Sequence, residues 1–392
     1  MKYWFGYVTA AIFAAITWAL MNIGSRFTQL VDMVYPYVMR TMQTMLAEWS
    51  SGADFVLWQV LLVALIVLAL ASAVLMIVLK WNPVQWAGWV LAAVSVVFML
   101  HTLTFGLNYY AGPIAEDIRL EVVDYNVEEL AEAAIYYRDK ANELATQVKR
   151  DSSGNVDFAD FDTLAQQAGD GFTALTYDYS YPIFAGCKLP VKQLGWADWY
   201  TDQGITGVTV GLTGEAAVNP QIPDICLPFT MCHEMAHRMC IATEIDGDFA
   251  AFLACQANAN VEFQYSAYFM AYYYCYQALL NDPSVESTAA AARVNNGVGD
   301  DLYRDIASYN QFFNITNATS AAGMARTAVE AKGVDGQPVT VSEYDDVSDL
   351  LVAWHIQTVV LPSISVDEKA FDPMDENQVD LTGIVNAQMG VG

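Results

Sequence analysis

The chain has 392 residues, 17 basic against 44 acidic side chains, a net charge of −27, and is 55% hydrophobic. Residues 1–110 hold only Lys2, Arg26, Arg40 and Lys80 against Asp32, Glu48 and Asp54, which leaves 13 basic and 41 acidic groups, a net −28, for the rest. So acidic a remainder repels polyanions and anionic headgroups, and no basic patch speaks for a nucleic-acid partner.

Three uncharged apolar runs come first: Trp4 to Met21, Phe55 to Leu79 and Trp86 to Phe105. A helix needs roughly 20 apolar residues to cross a bilayer core, and each run is about that long. Trp4, Trp18, Trp58, Trp81, Trp86 and Trp89 gather near the run ends, where aromatic rings favour the interface. The first run is read as a retained anchor rather than a signal peptide, because no A-x-A site follows it. Between the first two runs, apolar residues recur at three- and four-residue steps, as at Val38, Met42 and Met45. That stretch is expected to form an amphipathic helix lying on the membrane surface or on the soluble part. Three spans with the N-terminus inside place the acidic part outside a bacterial cell membrane, as a multi-pass protein. His101 ends the third run and is expected at the interface.

The expected domains are a membrane domain over 1–110, a catalytic domain over 111–362 and an acidic flexible tail over 363–392. In the second, "VEELAEAAIYYRDKANELATQVKRD" puts Leu130, Ala134, Tyr137 and Ala141 on one helical face. "DFDTLAQQAGDGFTAL" reads as another helix. Residues 204–219, "GITGVTVGLTGEAAVN", switch to short β-branched stretches broken by glycine, a strand and hairpin pattern. Helix is expected over about Glu244 to Leu280, Asp300 to Phe313 and Tyr344 to Val360. The six cysteines all follow residue 180 without a CxxC pair, and Cys232, Cys255 and Cys275 read as small buried hydrophobes. The run "FQYSAYFMAYYYCYQALL" carries Tyr265, Tyr268, Phe269, Tyr272 and Tyr276 at helical spacing, a core pattern. His355 sits in "LLVAWHIQTVV" and reads as a core histidine. Together these predict a mostly helical α+β part with a small sheet.

The chemistry gathers in "TMCHEMAHRMCIATEIDGDFAAF", Thr230 to Phe252. Residues four apart on a helix differ by about 40° in direction, so His233 and His237 project together. Two imidazoles so placed can both reach one Zn²⁺. Glu234 stands about 100° away and is placed to take a proton from water rather than to bind metal. A catalytic zinc has three protein ligands, so the chain must turn back and supply a third. Glu244, Asp246 and Asp248 are the candidates. Thr243 can cap a second helix, with Asp246 at the capping-box position. On that helix Glu244 and Asp248 share a face, while Asp246 points about 160° away. Glu244 is therefore expected as third ligand, and Asp248 as the carboxylate that orients a ligand histidine.

The matching stretches "LTGEAAVN" (212–219), "LPFTMCHEMAH" (227–237), "ATEIDGDFAAFLAC" (242–255) and "EFQYSAYFMAY" (262–272) make the chain resemble a bacterial family of integral-membrane HExxH proteins, catalogued as a domain of unknown function. Weaker matches are "YPYVMR", "LNYY" and "GVDGQPVTVSEYDDVSDLLVAW" (333–354). The family pattern is HExxHxxGxxxExEAN, which puts its first glutamate on Glu244 and its Asn on Asp248. Cys240 stands where the pattern has its turn glycine, and Gly247 where it has alanine. The resemblance implies a zincin-like fold and a gluzincin-like metallopeptidase. In zincins a strand beside the site pairs with an extended peptide, a role that suits "TGVTVGLTGEAAVN". The expectation is thus a membrane-anchored zinc metallopeptidase acting on a peptide or protein substrate. Its rival is a catalytically silent membrane protein that keeps the metal for structure or for a partner.

Overall fold

In a computed structural model of the chain, residues 2–317 and 346–362 are described. Three helices, α1 (Phe5–Arg26), α3 (Leu57–Val78) and α4 (Pro83–Thr104), are long and apolar enough to cross a membrane, and they associate the chain with one. At 22 residues each they run about 33 Å. Asn82 caps α4, its side chain accepting from the backbone N–H groups of Val84 and Gln85, and Pro83 takes the position where no N–H is needed. Helices α1 and α4 press together at Gly6 and Gly88; a Cβ on Gly6 would lie 2.6 Å from the Trp89 nitrogen. Gln59 is the only buried residue of α3, which otherwise shows its apolar side chains to the surroundings.

Helix α2 (Thr28–Ser50) has the expected periodicity with an unexpected orientation. Its buried residues are Pro36, Arg40, Gln43, Ala47 and Ser50, a narrow stripe of small and polar groups. Val38 and Met45 are exposed, along with Leu30, Met33, Val34 and Trp49. The polar face therefore grips the rest of the protein. Arg40 Nε donates to the Met239 carbonyl at 3.1 Å, and Gln43 Nε2 to the Gly211 carbonyl at 3.0 Å. The apolar face is left outward.

The part that follows is mostly helical with a small mixed sheet. Helix α5 (Ile114–Ile118) is a single turn, and α6 (Val127–Ala145) opens on a capping box between Asn126 and Glu129. Leu130, Ala134, Tyr137 and Ala141 of α6 are buried, as their spacing requires. Helix α7 (Phe161–Tyr177) follows. The sheet holds β1 (Lys192–Gln193), β2 (Gly207–Val210) and β3 (Glu215–Val218) in the order β1-β3-β2, with the short helix α8 (Ala197–Asp202) between the first two. β1 runs parallel to β3, β2 antiparallel, and β2 is an edge. β3 is buried along its length and α9 (Leu227–Arg238) packs against both β2 and β3.

Helix α10 (Glu244–Ala257) and α11 (Val261–Asn281) are separate helices, broken at Asn258, whose extended backbone ends the first. Tyr265, Phe269 and Tyr272 of α11 are buried and Tyr268 and Tyr276 pack against the same core. Helices α12 (Val285–Asn295), α13 (Asp300–Asn317) and α14 (Val347–His355) follow among the described residues, α14 passing into a π-helical turn, Ile356–Val360. His355 is buried with its ring 4.9 Å from that of Tyr136, a core residue. All six cysteines are buried and unpaired. The acidic tail over 363–392 and residues 333–345 of the "GVDGQPVTVSEYDD" stretch lie outside the described residues.

The membrane-associated and acidic parts are tied again at a knot around Glu215. Glu215 Oε1 and Oε2 accept from the backbone nitrogens of Leu57 and Trp58 at 2.7 and 2.9 Å, the first residues of α3, whose N–H groups have no partner within the helix. Lys192 Nζ reaches Glu215 Oε1 at 2.8 Å and the carbonyls of Ser50 and Phe55 at 2.8 and 3.0 Å.

Candidate metal centre

Pro228 starts α9, where its fixed φ suits the first turn, and a Schellman turn ends it. The Ile241 nitrogen bonds the Ala236 carbonyl and the Cys240 nitrogen the His237 carbonyl, at 3.1 and 2.9 Å. Cys240 itself takes the left-handed conformation, φ 72°, that this turn demands and that glycine adopts more cheaply. Thr243 then caps α10, its hydroxyl accepting from the Asp246 nitrogen at 3.1 Å. The half-turn between the helices swings Glu244 back over the histidines.

His233 and His237 face each other with Nε2 atoms 2.9 Å apart. Glu244 Oε2 lies 3.2 Å from His233 Nε2, and Oε1 lies 3.7 Å from His237 Nε2. Each ring's other nitrogen is held. His237 Nδ1 is 2.8 Å from the Ile241 carbonyl, and His233 Nδ1 is 2.7 Å from Asp248 Oδ1. Both partners only accept, so Nδ1 is the outward donor of each ring, and with a metal bound each Nε2 would turn a lone pair inward. A proton on Nε2, shared between the rings and the Glu244 carboxylate, can hold these atoms together, and a metal cation can take its place. This donor set, two neutral imidazole Nε2 atoms and a carboxylate, suits Zn²⁺. Among the described residues, no fourth His, Cys, Asp or Glu joins the group. The Glu244 side chain is 76% exposed, so the cluster opens to solvent on that side.

Burial lowers the proton affinity of His233, but the Asp248 and Glu244 carboxylates more than offset it and leave that affinity well above the usual imidazole range. A site this anion-rich favours a bound cation. Asp248 is positioned in turn by Tyr274 of α11, whose hydroxyl donates to Oδ2 at 2.9 Å. Second partners of this kind fix the ring orientation of a ligand histidine.

Glu234 turns away from the cluster toward β2. Its carboxylate is buried, with Oε2 2.7 Å from Thr209 Oγ1. Gly207, two residues earlier on the same face of the strand, leaves the space the carboxylate fills: a Cβ there would lie 2.6 Å from Cγ. Burial raises the Glu234 pKa above the ordinary value; the two histidines and the Thr209 hydroxyl pull against that rise.

The structure thus brings His233, His237, Glu244 and Asp248 together, with Glu234 beside them. Asp246 is elsewhere: its Oδ1 accepts from the Ile114 nitrogen at 3.4 Å, so Thr243 caps α10 and the reciprocal half of a capping box is replaced by this bond. Asp246 lines a cavity of about 280 Å³ with Asp32, Arg40, Asn108 and Asp117, on the far side of the turn. Gly247 lies under the rings; a Cβ there would meet His233 Cε1 at 3.1 Å and His237 Cε1 at 3.3 Å. Thr209, Gly207 and Tyr274 are the participants that sequence reasoning missed. The alternating strand pattern marks the first two as one face, but only the pairing of β2 beside α9 shows that Glu234 fills it.

Residues 31–352 match the family described as "Protein of unknown function (DUF3810)". The chain belongs to this family. The DUF3810 match runs from within α2 to within α14, so it takes in two of the three apolar helices and the whole His233–Glu244 cluster. No curated protein and no solved structure matches the chain.

Proposed function

We propose that this DUF3810 protein is a multi-pass, membrane-anchored zinc peptidase with a zincin-like catalytic domain outside the cytoplasm. The observation that carries the reading is the three-donor cluster with a buried, hydroxyl-held carboxylate between it and an edge strand. A purely structural zinc is closed by four protein ligands; here three converge and the remaining side faces solvent. His233, His237 and Glu244 would hold the ion, with Asp248 and the Ile241 carbonyl fixing the two rings.

Bound zinc supplies a Lewis acid that polarises a scissile carbonyl and makes nearby water acidic. The chain's own residues do the rest. Glu234 accepts the proton of the attacking water and later passes it to the leaving amine. Its raised proton affinity suits both halves of that transfer. Thr209 fixes the carboxylate's direction through one hydrogen bond. The outer edge of β2, with its N–H and C=O groups pointing away from β3, supports the pairing of an extended substrate beside the site. The three spans and the acid-rich domain support an N-terminus inside and the domain outside.

The test is metal content by mass on the purified full chain together with cleavage of a peptide library. Glu234→Gln should keep zinc and lose hydrolysis, because glutamine preserves size but accepts no proton. His233→Ala should lose both, and Glu244→Ala should lose far more zinc than Asp246→Ala. A zinc-loaded parent chain that cleaves nothing would favour the silent, partner-binding reading. Protease shaving of intact cells should remove the acidic domain; its survival until lysis would reverse the orientation.

A further inference from the structure

The candidate site rests directly on the membrane-facing layer of the protein. Helix α2 reaches it from below at two points. Arg40 Nε holds the carbonyl of Met239, in the turn that ends the HExxH helix. Gln43 Nε2 holds both the Gly211 carbonyl, at the tip of the β2–β3 hairpin, and the Thr104 carbonyl, at the end of span α4, at 3.0 and 3.1 Å. The hairpin tip is packed so tightly there that a Cβ on Gly211 would lie 2.7 Å from Phe105 Cβ, and one on Gly214 2.6 Å from the Ala47 nitrogen. Beside the same tip, Glu215, the first residue of β3 and the partner of Val210, carries the first residues of span α3. Edge strand β2 therefore ends between the exits of two spans. Thr209, which holds Glu234, stands two residues from Gly211, roughly 7 Å along an extended strand. The face of α2 turned away from the site is apolar and exposed, with Met33 at 65%, Met45 at 66% and Trp49 at 65%. The helix is about 10 Å across, so with the roughly 7 Å from Gly211 to Thr209 that face lies on the order of 17 Å from the residue that holds Glu234.

We infer that the substrate is the juxtamembrane segment of another membrane-anchored polypeptide, cut within the first few residues outside the bilayer; this rests on the peptidase reading above. A chain leaving the lipid beside α3 and α4 covers about 17 Å in about five extended residues and reaches β2 already aligned along it. Anchoring also replaces a bulk concentration by a local one in the millimolar range, so tethered chains outcompete dilute soluble peptides.

The experiment uses the full chain, zinc-loaded, in phosphatidylethanolamine–phosphatidylglycerol vesicles. The probe is a mixed-sequence peptide library fused to a single transmembrane helix, beside the same library without the helix at 10 μM, about a hundredfold below the local millimolar concentration. Tethered peptides should be cleaved at least tenfold faster, close to the span. A flexible spacer of about 20 residues inserted next to the span should abolish most of that advantage. The double variant Met45→Glu, Trp49→Glu, which loosens α2 from the lipid, should lower tethered cleavage while leaving soluble cleavage unchanged. Equal cleavage of tethered and soluble libraries, or indifference to the spacer, overturns this inference and leaves the peptidase standing. Cleavage of neither library by the zinc-loaded protein overturns both.

Discussion

Gly207 and Glu234 are in contact across the strand–helix boundary, and the missing side chain of the first is the space that holds the carboxylate of the second. A Cβ at 207 would sit 2.6 Å from Glu234 Cγ and 2.7 Å from Cδ. Gly207→Ala should therefore push the carboxylate off Thr209 without touching His233, His237 or Glu244. The expected result is unchanged zinc content with turnover reduced about 100-fold, the scale of a lost general base. Full activity in a zinc-loaded Gly207→Ala protein would show that the carboxylate does not need this position.

Thr209 offers a pH test. Burial raises the Glu234 pKa, and the Thr209 hydroxyl is one of the groups that pull it down. A general base works only when ionised, so activity falls as pH drops through that raised pKa. Thr209→Val removes the hydrogen bond to the charged form, so the pKa rises further and the acid limb of kcat/KM should move to higher pH. A limb that stays put, or moves to lower pH, would mean that another group controls it.

Cys240 carries a side chain in a conformation that costs an L-residue roughly 1 kcal/mol. Its thiol is buried, and burial pushes its pKa up to about 12, so it is unreactive at neutral pH. Cys240→Gly should keep zinc and change thermal stability little, since relief of backbone strain offsets loss of the packed thiol. Cys240→Val places a β-branched side chain at positive φ and should cost both stability and zinc. The comparison is read from zinc occupancy and unfolding temperature in detergent; retention of both by the valine variant would place the turn's tolerance elsewhere.

Glu215 joins α3 to β3 through two backbone hydrogen bonds and a buried pair with Lys192. Glu215→Ala removes the counter-charge of Lys192, leaving it only the Ser50 and Phe55 carbonyls, and strands the first N–H groups of α3. A loss on the order of 3 kcal/mol is expected, seen as a lower unfolding temperature of the full chain. An unfolding temperature equal to that of the parent would mean that the knot adds nothing to stability.

The sequence carried more of the site than of its setting. His233, His237, Glu244 and Asp248 were legible because helical spacing and one capping residue, Thr243, suffice to bring them together. Glu234's surroundings were not, since they depend on which strand lies beside α9 and in which register. Helix α2 shows a different limit. Its period was readable, but its orientation was not, because the usual rule that apolar residues turn inward assumes water outside. Helix α12 escaped notice for a third reason: "VESTAAAARVN" packs through Ala290, Ala291 and Val294, too small to draw an apolar stripe. Strand β1, two residues long, had no pattern to show.

The six buried, unpaired thiols bear on how the protein is made. Nothing in the described fold waits on oxidation, so the acidic domain can reach its native packing in a reducing compartment or an oxidising one. Production in an ordinary bacterial host needs no disulfide isomerase, and reductant in the buffer leaves the architecture intact. The hazard runs the other way: a chain caught partly unfolded exposes six cysteines at once, and oxidation at that moment would lock in pairings that the native structure has no place for.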